Sequence, residues 1–227
     1  MPTAIVTGAS QGLGLAVTQA LSEGGWTVIV DARNGDMLRR ATASLAGVRA
    51  IPGDVTDAEH RKALVAAAGT IDLLVLNASS LGPTPLPRLA AVDIRALTDV
   101  FATNAIAPLA LTQLALPGLR ASRSPAIVAI SSDAAVEAYP GWGAYGAAKA
   151  ALDQLLRVLA VEEPDIGVYV LDPGDMRTAM AQEAFPGEDI SGRADPAAVV
   201  PALLRLLADR PESVRHTAQD LLAGATR

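Results

Sequence analysis

The chain has 227 residues, 51% of them hydrophobic but only 3% aromatic, so a sizeable core must be built from Ala, Val, Leu and Ile. A formal net charge of −6 argues against a nucleic-acid backbone or an anionic membrane as the main partner. The absence of Cys excludes disulfides, thiolate catalysis and thiolate metal sites.

Met1-Pro2 runs directly into an apolar stretch, Thr3 to Thr7, that reads as a first strand. Neither a secretory leader nor a span of ~18 uninterrupted apolar residues is present, so a cytoplasmic protein is expected. Gly8-Ala9-Ser10-Gln11-Gly12-Leu13-Gly14 is a tight turn opening a helix to about Glu23. Glycines there permit close backbone approach, and a helix start offers free N–H groups and a positive dipole end to a pyrophosphate.

Trp26 to Asp31 is a second strand, ending in Asp31-Ala32-Arg33, and Asp36 to Leu45 is helical. Val48 to Ile51 is a third strand leading to Gly53-Asp54-Val55, and Asp57 is placed to cap a helix reaching Ala68. Ile71 to Leu76 is a nearly all-apolar fourth strand, as expected when both sheet faces are covered. Asn77 to Pro87 forms a Gly/Pro/Ser-rich loop, and a long helix follows over about Val92 to Leu116, with Pro108 bending it. The two His, His60 and His216, each near Arg or Glu, read as solvated surface residues.

Pro125 to Ile130 is the fifth strand, and Ala144 to Val161 is rich in helix formers. Tyr145 and Lys149 lie four apart on one helical face, and Ser132 ends the strand thirteen residues before the Tyr. The chain has three Tyr and only two Lys, Lys62 and Lys149, which makes this coincidence informative. An ammonium near a phenol lowers the phenol's pKa toward the working range, and a serine hydroxyl holds a carbonyl oxygen beside it. The trio can move a proton on or off a carbonyl oxygen while a hydride moves at the carbon.

Gly167 to Leu171 is a sixth strand, turning out through Asp172 to Thr178. Met180 to Ala194, with two Gly and a Pro, has the composition of a mobile lid. Pro196 to Asp209 is a last helix, and Ser213 to Thr217 a short final strand. Alternating strands and helices imply an α/β, Rossmann-type doubly wound single domain. The expected sheet is seven-stranded and mostly parallel, in order 3-2-1-4-5-6-7, with helices on both faces.

Together these residues resemble the short-chain dehydrogenase/reductase family over nearly the whole chain. Thr7, Gly8, Gly12 and Gly14 match its T-G-x-x-x-G-x-G, and Asn77-Ala78-Ser79 is similar to its N-N-A-G. Asp54-Val55 falls at its adenine contact, and Asn104 at its helix-borne Asn. Ser132, Tyr145 and Lys149 match its Ser and Y-x-x-x-K, and Pro173-Gly174 with Thr178 its P-G-x-x-x-T.

The resemblance implies that Tyr145 is the acid/base and that Lys149 lowers its pKa while holding the nicotinamide ribose. Ser132 would orient the substrate oxygen, and Asn104 would hold a water linking Lys149 to solvent. The implied cofactor contacts are Gly8, Ser10, Gln11, Gly12, Leu13, Gly14, Arg33, Asp54, Val55, Asn77, Ala78, Ser79, Tyr145, Lys149, Pro173, Gly174, Met176 and Thr178. Leu81, Asp133, Tyr139 and Met180 would meet substrate, with Val136, Trp142 and Phe185 adding apolar wall. No metal ligand is implied.

Three departures from the family pattern stand out. Leu76 replaces the first Asn of N-N-A-G, and Ser79 replaces its Gly. The final strand is polar, although that strand often helps pair subunits in the family, which leaves a homodimer or a homotetramer open. An acid ending the second strand binds a ribose diol, whereas a nearby Arg attracts a 2′-phosphate, and this chain carries both Asp31 and Arg33. The position of Arg33 favours NADP(H), with NAD(H) the alternative. The expected activity is a carbonyl reductase interconverting a small-molecule carbonyl and a secondary alcohol. The competing reading is a non-catalytic NAD(P) sensor or scaffold on the same fold.

Overall fold

The computed structural model describes residues 1–213 and 215–224. Seven parallel strands form one sheet in the order β3-β2-β1-β4-β5-β6-β7. They are β1 (Thr3–Val6), β2 (Thr27–Val30), β3 (Val48–Ala50), β4 (Leu73–Leu76), β5 (Ala126–Ile130), β6 (Gly167–Asp172) and β7 (Arg215–Thr217). The chain reverses direction of travel through the sheet between β1 and β4, where open α/β sheets bind ligands at their carboxyl edge.

The strands bury both faces because helices cover both. Ala4 and Val6 of β1 and Leu73 and Val75 of β4 pack on one side, against α1 (Gly12–Glu23) and α8 (Val200–Asp209). Ile5, Leu74 and Leu76 pack on the other, against α3 (Ala58–Ala68), α5 (Ala107–Arg120) and α6 (Gly143–Glu162). This alternation is the period of two of a strand with two dry faces. Asp57 caps α3 as expected, accepting a hydrogen bond from the Glu59 amide at 2.8 Å.

The long helix departs from a simple proline bend. It begins as α4 (Ile94–Phe101), passes through a π-helical turn at Ala102–Ile106, and continues as α5. Pro108 has no N–H to offer the carbonyl four residues back, which belongs to Asn104, so the widened turn falls where the ordinary ladder is interrupted. The whole helical run Ile94–Arg120 is long and apolar enough to cross a membrane by length and composition, yet 44% of its most apolar window is buried within the protein.

The segment expected to be a lid starts as α7 (Ala179–Ala184), whose first turn is capped by the Thr178 hydroxyl at 3.1 Å from the Ala181 amide. The final strand is short: Arg215–Thr217 pairs with β6, while Val214, within the expected span, lies outside the described residues. A further helix, α9 (Ala218–Ala223), follows it, capped by Thr217, and the remaining helix α2 (Gly35–Thr42) joins β2 to β3.

Candidate active site

The carboxyl ends of β1, β2, β4, β5 and β6 converge on one cavity of about 770 Å³. Of the catalytic, cofactor and substrate-wall residues expected from sequence, all but Gly14, Asn104 and Val136 line it. Gly14 lies behind the turn; a Cβ there would sit 2.4 Å from the Gly8 carbonyl oxygen, so only glycine lets α1 pack this close. Val136 is 63% exposed and lies outside the wall.

At one end of the cavity the glycine turn opens α1. Gly8 and Gly12 both have positive φ, 69° and 58°, in the left-handed region that glycine enters without strain. Gln11 caps α1 with no side-chain hydrogen bond, leaving the first amides of a twelve-residue helix available to a ligand anion. Asn77 braces this turn from β4, its Nδ2 donating to the carbonyls of Thr7 (2.8 Å) and Gly8 (3.1 Å). The Thr7 hydroxyl accepts from the amides of Asn77 and Ala78, each at 3.0 Å.

Arg33, exposed, and Asp54 stand at the same end. Burial alone would raise the Asp54 carboxyl; hydrogen bonds from Thr56 and the charges of Arg33 and His60 hold it below its ordinary value. Asp31 is buried at 1% exposure beneath them. Its Oδ1 accepts from the Gly8 amide at 2.8 Å, and its Oδ2 lies 3.0 Å from His60 Nε2. The surface reading of His60 is therefore corrected: its side chain is 7% exposed. The reason is geometric, because α3 carries His60 back under the Gly53 turn toward a buried carboxylate that a one-dimensional reading cannot see. His216 is half-buried on β7, with Nε2 3.2 Å from the Glu212 carbonyl.

At the other end, the turn Asp133–Ala135 sits under the start of α6, where a Cβ on Gly146 would lie 2.3 Å from the Ala134 carbonyl. This close approach sets Tyr145 beside Ser132. The Tyr145 phenol is buried and pushed up to about 12, first by burial; hydrogen bonds with Ser79 and Ser132 act in the opposite sense, and the charges of Asp133 and Asp172 add to the rise.

Lys149 is 2% exposed, donates from Nζ to the Ile130 carbonyl at 2.8 Å, and lies 5.5 Å from the Tyr145 ring centroid. Burial pulls its ammonium down to about 8, against the charge of Asp153. Both groups are desolvated, and the amine's hydrogen bond runs to the main chain rather than to the phenol.

Asn104 is fully buried behind the cavity wall. Its Oδ1 accepts from the Ser80 amide (2.8 Å) and the Ser79 hydroxyl (3.1 Å), and its Nδ2 donates to the Ser80 carbonyl (2.8 Å). Its side chain fixes the β4 loop, and Pro108 leaves its main-chain carbonyl without the usual helical donor. Ser79, the departure from the family pattern, is accommodated by turning its hydroxyl between Asn104 and Tyr145.

The remaining wall is apolar. Leu81, Ala134 and Tyr145 form a small cluster with Trp142, Met180 and Ala184, and Trp142 stacks edge-on to Tyr145 with ring centroids 5.6 Å apart. Phe185 lies under the guanidinium of Arg193 at 4.3 Å. Tyr139 donates to Asp133 Oδ2 at 3.0 Å, and Asp133 Oδ1 accepts from the Ser132 hydroxyl at 2.9 Å.

This fold and constellation define a dinucleotide-binding oxidoreductase. The family model for short chain dehydrogenases matches residues 2–189, and the chain belongs to that family. An uncharacterized oxidoreductase of Schizosaccharomyces pombe is 34% identical over 78% of this chain and 71% of its own. Rat sepiapterin reductase is 32% identical over 79% of this chain and 76% of its own. Among solved structures, a short chain dehydrogenase from Shigella flexneri complexed with NADP superposes with a TM-score of 0.89 at 29% identity, covering 96% of this chain and 97% of that one. One from Escherichia coli complexed with NADPH gives 0.89 at 30%, covering 96% of both chains.

Proposed function

We propose that this protein is an NADPH-dependent carbonyl reductase in which Tyr145 is the general acid. The observation that carries the reading is the buried Tyr145 phenol beside two serine hydroxyls, at the apolar end of a cavity whose other end is a glycine-lined helix start. Burial keeps the phenol in its protonated form at neutral pH, so the proton that the substrate oxygen needs is in place. A buried proton donor at the apolar end of the cavity speaks against a sensor, which has no use for one.

The residues fit a nicotinamide dinucleotide. Gly8, Gly12 and the free amides of α1 would hold the pyrophosphate, Asp54 and Val55 the adenine, and Lys149, Pro173, Gly174, Met176 and Thr178 the nicotinamide half. When bound, it supplies the hydride.

Asp31 is 1% exposed and turns its oxygens toward Gly8 and His60, which leaves it poorly placed to read a ribose diol. Arg33 is left as the exposed charge able to meet a 2′-phosphate, which favours NADP(H) over NAD(H). Ser132 and Ser79 orient the substrate oxygen at the Tyr145 hydroxyl. Tyr145 then donates its proton to that oxygen, and Lys149 offsets the charge left on the phenolate. Leu81, Trp142, Met180 and Phe185 suit a carbonyl with apolar substituents.

The test is loss of NADPH absorbance with a panel of ketones, diketones and aldehydes. Turnover supports the proposal; normal NADPH binding with no turnover on any of them favours the sensor. We also place the protein in the cytoplasm as a homodimer or homotetramer acting on small molecules rather than on nucleic acid or membrane. Self-association is supported by the apolar side chains Ile94, Val158 and Val161 that α4 and α6 expose. A monomer by light scattering contradicts that part.

A further inference from the structure

Arg215 belongs to none of the groups above, yet its guanidinium makes four polar contacts. It comes from β7, the polar strand that departs from the family pattern, and its side chain is 15% exposed. Nη1 lies 2.8 Å from the Ser131 hydroxyl and 2.6 Å from Asp153 Oδ2. Nη2 lies 2.8 Å from the Ser132 carbonyl and 2.6 Å from Asp172 Oδ2.

Each acceptor leads to a different part of the site. The Ser132 carbonyl belongs to the residue whose hydroxyl adjoins the Tyr145 phenol. Asp153 stands one turn beyond Lys149 on α6, and it also accepts from the Ser131 hydroxyl at 2.6 Å. Asp172 Oδ1 accepts from the Gly174 amide at 3.0 Å, pinning the Pro173-Gly174 turn.

We propose that Arg215 is a positioning residue for carbonyl reduction, one guanidinium that fixes the Ser132 main chain, the Pro173-Gly174 turn and the acid beside Lys149 in a single register. The inference rests on the reductase reading. A planar fork with five donors can hold four acceptors on three elements at once, which a lysine ammonium, a point charge with three donors, cannot reproduce. Its charge has a second effect. Lys149 and Tyr145 on α6 face Asp153 on α6, Asp172 on β6 and Asp133 after β5, and Arg215 is the cation that balances Asp153 and Asp172. Removing it leaves both carboxylates uncompensated, which favours the protonated forms of Lys149 and Tyr145.

The test compares wild type, Arg215→Met and Arg215→Lys by NADPH titration and by kinetics on any carbonyl that wild type reduces. The expected result for Arg215→Met is an NADPH Kd within about threefold, because the adenine end is untouched, with kcat lower by about 100-fold per folded, NADPH-binding molecule. The basic limb of its pH–rate profile is expected to move up, and Arg215→Lys is expected to recover only part of kcat. Should Arg215→Met fail to fold, the triple variant R215M/D153N/D172N, which buries no unpaired charge there, takes the same assays. It is expected to keep the low kcat while the pH profile returns toward wild type.

Wild-type kcat in either variant overturns the proposal, as does a loss no larger than the loss of folded protein. If wild type reduces nothing, the reductase reading has failed on its own. The emission of bound NADPH then decides: a normal Kd with an altered nicotinamide emission supports Arg215, and an unaltered emission overturns it.

Discussion

Replacing Lys149 by Met tests the burden that the site places on the fold. The ammonium is 2% exposed and burial draws it from 10.5 to about 8, so folding disfavours its charged form. At about 1.4 kcal/mol per pH unit, the penalty is about 3 kcal/mol. Below pH 8 both folded and unfolded chains carry the proton and the penalty is complete. Between 8 and 10.5 the unfolded chain binds more protons, so stability from this group rises with pH, and above 10.5 the penalty is gone.

Met removes the penalty but leaves the Ile130 carbonyl without its donor, a loss of about 1–3 kcal/mol at either pH. At pH 7 the two terms nearly cancel, and at pH 10 the loss prevails. Urea unfolding of both proteins at pH 7 and pH 10 is the assay. The stability of Lys149→Met relative to wild type is expected to fall by about 2–3 kcal/mol between the two. The raised Tyr145 phenol works in the other direction above pH 10 but is common to both proteins and drops out of the comparison. An equal gap at both pH values would refute the claim that Lys149 is buried at a depressed pKa.

Arg33→Ala is expected to weaken NADPH binding by about 10–100-fold, the loss of one exposed charge-assisted contact, and to leave NADH unchanged. An unchanged NADPH-to-NADH ratio assigns the 2′ position elsewhere. Ser79→Gly, which installs the residue common in the family, is expected to lower kcat by about tenfold with NADPH affinity retained, since one hydroxyl beside the phenol is lost. Full activity would make Ser79 a bystander. His60→Leu leaves a carboxylate oxygen of Asp31 buried and unpaired, and urea melts are expected to show a loss of about 2–4 kcal/mol. A wild-type midpoint would remove the pair from the structure's support.

Much of this was readable from residues alone because the signals are local. The seven strands, the glycine turn and the Tyr145–Lys149 spacing each depend on a few neighbouring residues and on periods of two or 3.6. What escaped was set by contacts across the sheet. His60 reads as a surface histidine until α3 folds it onto Asp31, which lies 29 positions earlier in the chain. The polarity of the last strand read only as a departure from the family pattern, whereas its Arg215 reaches Asp153, 62 positions away. Helical spacing places Lys149 one turn from Tyr145, but the depth at which both are buried is set by the fold and is not visible in that spacing.

Tyr145→Phe bears most directly on the reductase proposal, since it deletes the phenolic oxygen and little else. The expected outcome, on a carbonyl that the wild type reduces, is a kcat lower by about 10²–10⁴-fold with NADPH binding intact. Undiminished turnover by the Phe enzyme would mean that the proton reaches the substrate from some other group.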